Sequence, residues 1–302
     1  MTQRALVGLI GANIMQSLSP ALHIDAFSAA GIVGHYHLMD VDVLKGRSLR
    51  QLFDAVKASG FSGTNVTFPF KQEVLALLDI VDPEAAQIGA VNTVTIAPDG
   101  RTTGYNTDRR GFRRSFEEQL GRPAAKDAKV VLVGAGGAGR AVAFALMDLG
   151  IAEIAIFDRD SKQAAALLRD LAKYYEPARS RLVTDLEADI ANANGVANAT
   201  PVGMEGKPGN PVPTGALRAG QWAADVIYTP IETAFIKAAA AKGLRVATGG
   251  GMCVHQAAEA FRLFTGVEAD VARMHRKFSE ALAERDARMA QTARAALGRT
   301  TA

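Results

Sequence analysis

The chain has 302 residues, enough for two domains, with 48% hydrophobic and 22% charged residues and a net charge of +3. Acidic residues interrupt the basic C-terminal stretch (273–299), which favours a solvated helix face over a nucleic-acid contact. The single cysteine, Cys253, excludes an internal disulfide framework and a multi-cysteine zinc site. No transmembrane segment or signal peptide is evident, so we expect a cytoplasmic protein without membrane partners.

The first hundred residues predict alternating strands and helices. The predicted elements are a strand at 5–11, a helix at 19–31 with Ser19 as its cap and Pro20 in its first turn, a strand "GHYHLMDV" and a helix near 46–59. In "GTNVTFPFK" (63–71) a strand ends, and "PFKQEVLALL" is predicted to be the following helix, because proline can open a helix. A hairpin around Pro98-Asp99-Gly100 and a helix beginning near Asp108 come next.

From residue 126 the strands become continuously apolar, which is typical of a parallel sheet covered on both faces. Further β/α units follow at "GVANATP", "WAADVIY" and "GLRVATGGG", and a helical stretch follows residue 251. We therefore predict an α/β protein: an N-terminal α/β domain, 1–108, completed by helices in 250–302, and a doubly wound nucleotide-binding domain of Rossmann type, 109–249.

A glycine motif lies between the first apolar strand of this second domain and the next helix. Gly134, Gly136 and Gly139 form G-x-G-x-x-G: the first allows a tight turn, the second lets a pyrophosphate approach and the third allows close helix packing. The start of the helix supplies free N–H groups for phosphates. A glycine-rich turn can be purely structural, but the strand–turn–helix context predicts dinucleotide binding.

The acidic residue that ends the next strand bears on the cofactor. Asp158 lies 24 residues after Gly134, where a carboxylate accepts hydrogen bonds from an adenosine ribose and repels a 2′-phosphate, which favours NAD over NADP. Arg159 argues for NADP, since a guanidinium can clamp that phosphate. Asp160 is equally well explained as the cap of the next helix.

A nicotinamide enzyme that oxidises an alcohol needs a group that takes the hydroxyl proton as hydride leaves. Lys71 is the best candidate for this group on its position, and Asp108 is the expected partner that orients it. The alternative is that Lys71 is an ordinary surface lysine. His23 and His255 lie among apolar residues at helical spacing and are expected to be packing or surface residues. No histidine pair has metal-ligand spacing, so no metal is expected.

Nearly the whole chain resembles the shikimate dehydrogenase family. The matching runs, in chain order, are "SLSP" (17–20), "NVTFPFK" (65–71), "GAVNT" (89–93), "NTD" (106–108), "GAGGAG" (134–139), "NATPVGM" (198–204), "DVIYTPIET" (225–233) and "GMCVHQAAEAF" (251–261). The resemblance implies that Lys71 and Asp108 are the catalytic pair. It implies that the polyol substrate is held by Ser17, Ser19, Asn65, Thr67, Asn92, Tyr228 and Gln256, with the two serines and the tyrosine on its carboxylate.

Hydroxyls and amides both donate and accept hydrogen bonds, so these residue types suit a ring with several hydroxyl groups. Ser19 retains its alternative interpretation as a helix cap, and Tyr228 and Asn92 retain the alternative of ordinary buried polar groups. The expected cofactor-binding residues are Gly134, Ala135, Gly136, Gly137, Ala138, Gly139, Asp158, Arg159, Thr200, Pro201, Val226, Gly249 and Met252. Gly249, Val226 and the "NATP" turn (198–201) are expected near the nicotinamide.

Two runs depart from the usual family sequence, and one further residue, Ser19, bears on substrate preference. Asp158-Arg159-Asp160 replaces the Asn-Arg-Thr-like run of NADP-type members and resembles the NAD-linked quinate/shikimate branch. Ser19 is the residue of shikimate-preferring members, whereas the quinate-active branch often has threonine, so the substrate and cofactor indications disagree. Thr248-Gly249 replaces the usual Asp-Gly before the last site helix, which affects the expected geometry of that loop.

The resemblance implies a shikimate dehydrogenase, with quinate as a second possible substrate and NAD as the favoured cofactor. Three alternatives stay open: an NADP-specific dehydrogenase of aromatic amino acid biosynthesis, a catalytically silent nucleotide-binding sensor, and a dehydrogenase of an unrelated metabolite such as a folate. The partner expected is a small molecule rather than nucleic acid, and the protein is expected to be a monomer or homodimer.

Overall fold

The computed structural model describes residues 2–300, with side chains described through Met289 and at Gln291. The strands in this part of the chain are β1 Arg4–Gly11, β2 Val33–Asp40, β3 Gly63–Val66, β4 Ile80–Val81, β5 Thr93–Ile96, β6 Thr102–Tyr105, β7 Lys129–Val133, β8 Glu153–Phe157, β9 Ser180–Leu182, β10 Gly195–Asn198, β11 Trp222–Asp225 and β12 Arg245–Ala247. The α-helices are α1 Ser19–Ala29, α2 Leu49–Ala58, α3 Pro83–Ile88, α4 Thr107–Gln119, α5 Gly137–Leu149, α6 Ser161–Leu171, α7 Leu186–Asn192, α8 Ala234–Ala241, α9 Gly249–Thr265 and α10 Val271–Thr300. Within residues 2–300, no helix is both long and apolar enough to cross a membrane.

The first sheet is mixed and has the order β2-β1-β3-β5-β6-β4. Strand β1 pairs in parallel with β2 on one side and with β3 on the other. The predicted hairpin is present, because β5 and β6 are neighbours and Ala97 N donates to Arg101 O at 2.9 Å. The serine motif follows β1, and the Asn-Val-Thr motif lies at the end of β3.

The second sheet has the order β12-β11-β10-β7-β8-β9, and its neighbouring strands run parallel. The chain proceeds from β7 to β8 and β9 on one side, then returns to β10 on the other. Strands β7 and β10 are therefore the topological switch point at which doubly wound sheets bind ligands. The core under this point includes Leu132, Phe144 and Leu146, none of which is exposed to solvent.

Two local predictions at the N-terminal motifs are wrong. Helix α1 has Leu18 as its N-cap with no side-chain cap bond, and the Ser19 amide donates to Ser17 Oγ at 3.2 Å, so Ser19 is not the cap. No α-helix begins at Pro69; turns lead instead to a 3₁₀-helix at Glu73–Leu77. The Lys71 carbonyl accepts from Val91 N at 2.7 Å, so a long-range partner occupies the acceptor that an α-helix would use.

The chain folds into two compact units. The described parts of Met1–Phe70, Val94–Thr102 and Ala257–Ala302 form one unit, and Lys71–Thr93 with Thr103–Gln256 forms the other. The functional domain boundaries, 1–108 with 250–302 and 109–249, stay a prediction. Residues 301–302 of the predicted C-terminal stretch lie outside the described residues.

Candidate active site

Lys71 and Asp108 form an ion pair in the second unit. Lys71 Nζ donates to Asp108 Oδ2 at 2.6 Å, and 16% and 7% of the two side chains are exposed. Asp108 lies in the first turn of α4, where the Asn106 side chain caps the helix by accepting from Arg109 N. Asn106 Nδ2 also donates to Ala90 O at 2.9 Å, which anchors the start of the helix to the residue before Val91. Because Val91 holds the Lys71 backbone, both members of the pair are fixed to the same short segment.

Asn92 lies beside this pair and is held by Thr107. Asn92 Oδ1 accepts from Thr107 N at 2.8 Å, and Asn92 Nδ2 donates to Thr107 Oγ1 at 3.0 Å. Thr107 Oγ1 in turn donates to Gln256 Oε1 at 3.5 Å, and Gln256 Nε2 donates to Cys253 O. The structure therefore brings together four predicted site residues: Lys71, Asn92, Asp108 and Gln256. The connecting residue, Thr107, was missed from sequence although it lies inside the "NTD" run.

In the first unit, the serine motif follows a loop that a buried carboxylate holds in place. Asp40 is 3% exposed; its side chain accepts from the backbone amides of Asn13, Ile14 and Met15, and of Asp42, at 2.7–3.2 Å. Ser17 N closes the loop by donating to Ile14 O at 2.9 Å. Ser17 is half-buried and Ser19 is buried. Asp40 was missed from sequence. The pattern that could have indicated it is an acidic residue at the carboxyl end of a strand.

Asn65 and Thr67 lie at the end of β3 in the same unit. Asn65 is buried, and its Oδ1 accepts from the Tyr36 hydroxyl at 2.9 Å. Thr67 is half-buried, and its amide donates to Ile10 O at 3.0 Å. The His23 ring stacks on Tyr36 at 4.7 Å between centroids, and burial lowers the pKa of His23 to about 3. His23 is a neutral packing residue, as predicted, and supports the tyrosine that orients Asn65.

The glycine turn has the geometry of a dinucleotide site. Gly134 has a φ of +104°, and a Cβ there would lie 2.8 Å from the Ala199 carbonyl carbon. A Cβ on Gly139 would overlap the Gly134 carbonyl oxygen. A Cβ on Gly136, by contrast, would have no heavy atom within 4 Å, and Gly136 begins α5 without a side-chain cap. Two glycines are thus needed for packing, and the middle one leaves room beside free helix N–H groups for a pyrophosphate.

The acidic residues after β8 adjoin this turn. Asp158 Oδ2 accepts from Ala135 N at 2.7 Å, and its Oδ1 accepts from Asp160 N at 2.9 Å. Asp160 caps α6 by accepting from Lys162 N, as its alternative interpretation predicted. Arg159 is exposed. A half-buried carboxylate at the glycine turn suits a ribose diol and disfavours a 2′-phosphate.

The polar residues at the ends of β10 and β11 surround a buried acid, Asp225. The Asn198 carbonyl accepts from Val226 N at 3.1 Å, and Asn198 Oδ1 accepts from both the amide and the hydroxyl of Thr200. Asp225 accepts from Asn198 Nδ2 at 3.1 Å. Burial raises the pKa of Asp225 to about 6, although hydrogen bonds lower it.

The remaining predicted cofactor residues adjoin these strand ends or begin α9. A Cβ on Gly249 would overlap the Val226 carbonyl oxygen, so only glycine fits there. Gln119 holds the preceding Thr248, accepting from its amide at 3.0 Å and donating to its carbonyl at 3.1 Å. This amide side chain fixes the loop that lacks the family's usual aspartate. Met252 is buried in the first turn of α9, and Pro201 is exposed.

Tyr228 and His255 are less directly tied to the pair. Tyr228 follows β11 and is half-buried. His255 is buried, and its Nε2 lies 2.8 Å from Glu118 Oε2, so it pairs with an acid in addition to packing.

The side chain of Lys71 itself lies against the glycine turn: a Cβ on Gly137 would be 3.0 Å from Lys71 Cβ. The glycine turn and the Lys71–Asp108 pair therefore adjoin within one unit.

Three family descriptions match the sequence. They are the shikimate dehydrogenase substrate binding domain at residues 9–94, shikimate / quinate 5-dehydrogenase at 117–202, and the shikimate 5′-dehydrogenase C-terminal domain at 249–277. Together they extend over most of the chain, including the segments that carry Asn65, Lys71 and the glycine turn.

Curated relatives and solved structures agree with this assignment. A quinate/shikimate dehydrogenase (NAD(+)) of Corynebacterium efficiens is 47% identical over 90% of this chain and 97% of the relative. A shikimate dehydrogenase (NADP(+)) of Streptomyces avermitilis is 44% identical over 91% and 95%. The structure of quinate dehydrogenase from Corynebacterium glutamicum in complex with NAD has a TM-score of 0.85 at 43% identity, covering 92% of this chain and 100% of that one. The chain belongs to the shikimate dehydrogenase family.

Proposed function

We propose that the protein is an NAD(P)-dependent quinate/shikimate dehydrogenase that favours NAD. It reversibly oxidises the C3 hydroxyl of shikimate, and of quinate, to the 3-dehydro ketone. The observation that carries this proposal is the Lys71 Nζ–Asp108 Oδ2 contact of 2.6 Å, made by a lysine whose side chain packs on the glycine turn. Such a pair next to a dinucleotide turn is what alcohol oxidation requires: a proton acceptor close to where hydride leaves.

The proposed chemistry divides one alcohol into a hydride and a proton. A nicotinamide dinucleotide held at the glycine turn would supply the acceptor for the hydride that leaves the carbinol carbon. Lys71 acts as the base in its neutral form, after the ammonium of the ion pair has released one proton to solvent. The amine then takes the hydroxyl proton while the C=O bond forms, and the ion pair with the Asp108 carboxylate is restored. In the reverse direction the ammonium returns that proton to the alkoxide oxygen. Asp108 also fixes the position of Nζ, since α4 and Val91 hold the two backbones in place.

The polar residues divide the recognition of the substrate between them. We propose that Ser17, Ser19 and Tyr228 bind the carboxylate, because hydroxyl groups donate to carboxylate oxygens without adding charge. Asn65, Thr67, Asn92 and Gln256 are proposed to bind the ring hydroxyls. The orientation of Asn65 by Tyr36 and of Asn92 by Thr107 supports these roles, because a fixed amide presents a defined donor and acceptor.

Asp158 is the proposed cofactor selector. Its carboxylate is anchored to the glycine turn through Ala135 N, so it cannot rotate away from a 2′-phosphate without losing that hydrogen bond. Arg159 is exposed, and a long exposed side chain of this kind pays conformational entropy to hold a phosphate in place. The NAD-linked relative of C. efficiens supports the same choice.

The proposal is tested by initial rates with shikimate and quinate, each against NAD and NADP, for wild type and Asp158→Asn. We expect reduction of NAD with both acids, and a fall in the NAD-to-NADP preference of the variant by about tenfold or more, because a repelling charge is removed. Wild-type activity with NADP alone would replace the proposal by the NADP-specific biosynthetic alternative. Absence of reduction in all four mixtures would favour the silent sensor or another substrate.

We also propose a cytoplasmic location and a monomer or homodimer. The single buried cysteine is consistent with a reducing compartment. Size-exclusion chromatography with light scattering distinguishes the two oligomeric states, and a larger mass would reject both.

A further inference from the structure

Asp225 is a buried acid at the end of β11, and both of its carboxylate oxygens accept hydrogen bonds. Oδ1 accepts from Asn198 Nδ2 at 3.1 Å and from Ile227 N at 3.0 Å, and Oδ2 accepts from the Thr233 hydroxyl at 2.7 Å. Asp225 is 3% exposed, and Asn198 and Thr233 are 0% and 1% exposed. Burying a carboxylate is costly, and the hydrogen bonds of Asp225 offset only part of that cost, so an acid kept at this position is expected to have a specific role.

These partners belong to three different segments. Asn198 ends β10 and begins the Asn-Ala-Thr-Pro turn, Ile227 lies in the turn after β11, and Thr233 is the N-cap of α8. Asp225 thus joins the turn after β10 to the turn after β11 through one side chain. Both turns lie at the carboxyl ends of parallel strands, the edge at which such sheets bind ligands.

The turn after β11 also meets the start of α9. Gly249 N donates to Ile227 O at 3.2 Å, and the Gly249 backbone is too close to Val226 for any side chain. Thr200 is held in turn by Asn198 Oδ1, which accepts from its amide and its hydroxyl. Asp225 therefore fixes Asn198, and through it Thr200, as well as the turn against which Gly249 packs.

We propose that Asp225 is a positioning residue for the nicotinamide end of the cofactor, acting through Asn198 and Ile227 without itself contacting the ring. The inference rests on the proposed function, because Thr200, Val226 and Gly249 are nicotinamide-facing only if the chain binds a nicotinamide dinucleotide. The carboxylate proposed for the adenosine ribose is held separately, since Asp158 binds Ala135 N and Asp160 N, and the turn after β10 meets the glycine turn only by packing at Gly134 and Gly139.

The nicotinamide and adenosine ends of the cofactor can be tested separately. If Asp225 contributed only to general stability, its removal would not weaken NAD binding more than ADP-ribose binding. ADP-ribose contains the adenosine and pyrophosphate of NAD but lacks nicotinamide. The dissociation constants of NAD and ADP-ribose are measured by isothermal titration calorimetry for wild type and Asp225→Ala. We expect NAD to bind about tenfold more weakly, the equivalent of about one net hydrogen bond, and ADP-ribose to change by less than about twofold.

Two further variants distinguish positioning from general destabilisation. Asp225→Asn keeps an oxygen for Asn198 Nδ2 and Ile227 N, so it should retain most of the NAD affinity. Gln221 is the matched control: it is buried at the opposite end of β11, and its Nε2 donates to Ile190 O and Ala193 O. Gln221→Ala should lower the melting temperature and leave the ratio of the two dissociation constants unchanged.

Equal weakening of NAD and ADP-ribose in Asp225→Ala would overturn the inference, as would the same change of ratio in Gln221→Ala. If Asp225→Ala does not fold, Asn198→Ala removes the same link from the other strand and is judged by the same ratio. The proposed function fails by a different result, namely wild-type protein that binds NAD but oxidises neither acid. The two failures are therefore distinguishable.

Discussion

The glycine turn gives a paired prediction, because two of its glycines are required for different reasons. A Cβ added at Gly136 has no heavy atom within 4 Å, whereas a Cβ added at Gly139 overlaps the Gly134 carbonyl oxygen and lies 2.7 Å from its carbonyl carbon. Gly136→Ala should therefore fold normally and lose the cofactor. Gly139→Ala should lose stability before any ligand is added.

The expected magnitudes follow from these distances. The φ of Gly136 is −71°, which alanine adopts freely, so the free energy of unfolding should change by less than about 1 kcal/mol. The new methyl group fills the space proposed for the pyrophosphate, so NAD should bind at least about tenfold more weakly. At Gly139 the obstructing atoms are backbone, which cannot rotate away, and overpacking of this kind costs about 1–3 kcal/mol or more. That loss should be visible even though alanine in a helix is intrinsically favoured over glycine by about 1 kcal/mol.

Thermal melts by circular dichroism measure the stability of both variants, and calorimetric titration with NAD measures binding. Gly150→Ala is unsuitable as a control because Gly150 has a positive φ, so wild type serves as the reference for both measurements. The reasoning is refuted if Gly136→Ala is as unstable as Gly139→Ala. It is also refuted if Gly136→Ala binds NAD with wild-type affinity, because the open space would then not be the phosphate site.

Lys71→Ala should reduce kcat by about 10²–10⁴-fold, the usual contribution of a general acid–base group; near-normal turnover of folded protein would reject Lys71. Asp108→Asn should also lower kcat, and an unchanged rate would remove it from the catalytic pair. The raised pKa of Asp225 means that the folded state binds this proton more tightly than the unfolded state, so its stabilising effect is complete below pH 3.8 and is lost as pH rises through about 6. Relative to Asp225→Asn, wild type should therefore lose about 3 kcal/mol of unfolding free energy between pH 3.5 and 7.5, and a pH-independent difference in denaturant titrations would show that Asp225 titrates normally.

The parts of the site that the sequence could predict are those in which chemistry restricts the residue type. The sequence predicts Lys71 and Asp108 as partners, and the structure places Lys71 Nζ 2.6 Å from Asp108 Oδ2. The three glycines were assigned separate roles, and the space around an added Cβ agrees with those roles for Gly134 and Gly139. The alternation of strands and helices was equally clear, because continuous apolar runs and turn residues are local signals.

The parts that could not be predicted depend on partners far away in sequence. The expected helix at Pro69 is absent, and the Lys71 carbonyl is bonded to Val91, which a local pattern cannot reveal. Ser19 has the residue type of a cap, yet the Ser17 hydroxyl accepts the Ser19 amide and the helix begins after Leu18. Asp40 and Asp225 look like ordinary polar residues at strand ends. Their burial, and the backbone amides that they bind, become visible only when the loops are folded around them.

The carboxylate of Asp40 has a consequence for the energetics of substrate capture. Because it already binds the amides of Asn13, Ile14 and Met15, the loop leading to Ser17 is organised around an internal anion before any external one arrives. An ordered loop loses little conformational entropy on binding, so the carboxylate binding proposed for the two serines would not require the backbone to be arranged first. The same segment in an Asp40→Asn protein would have to become ordered each time an acid bound, and its loss of affinity would grow with temperature.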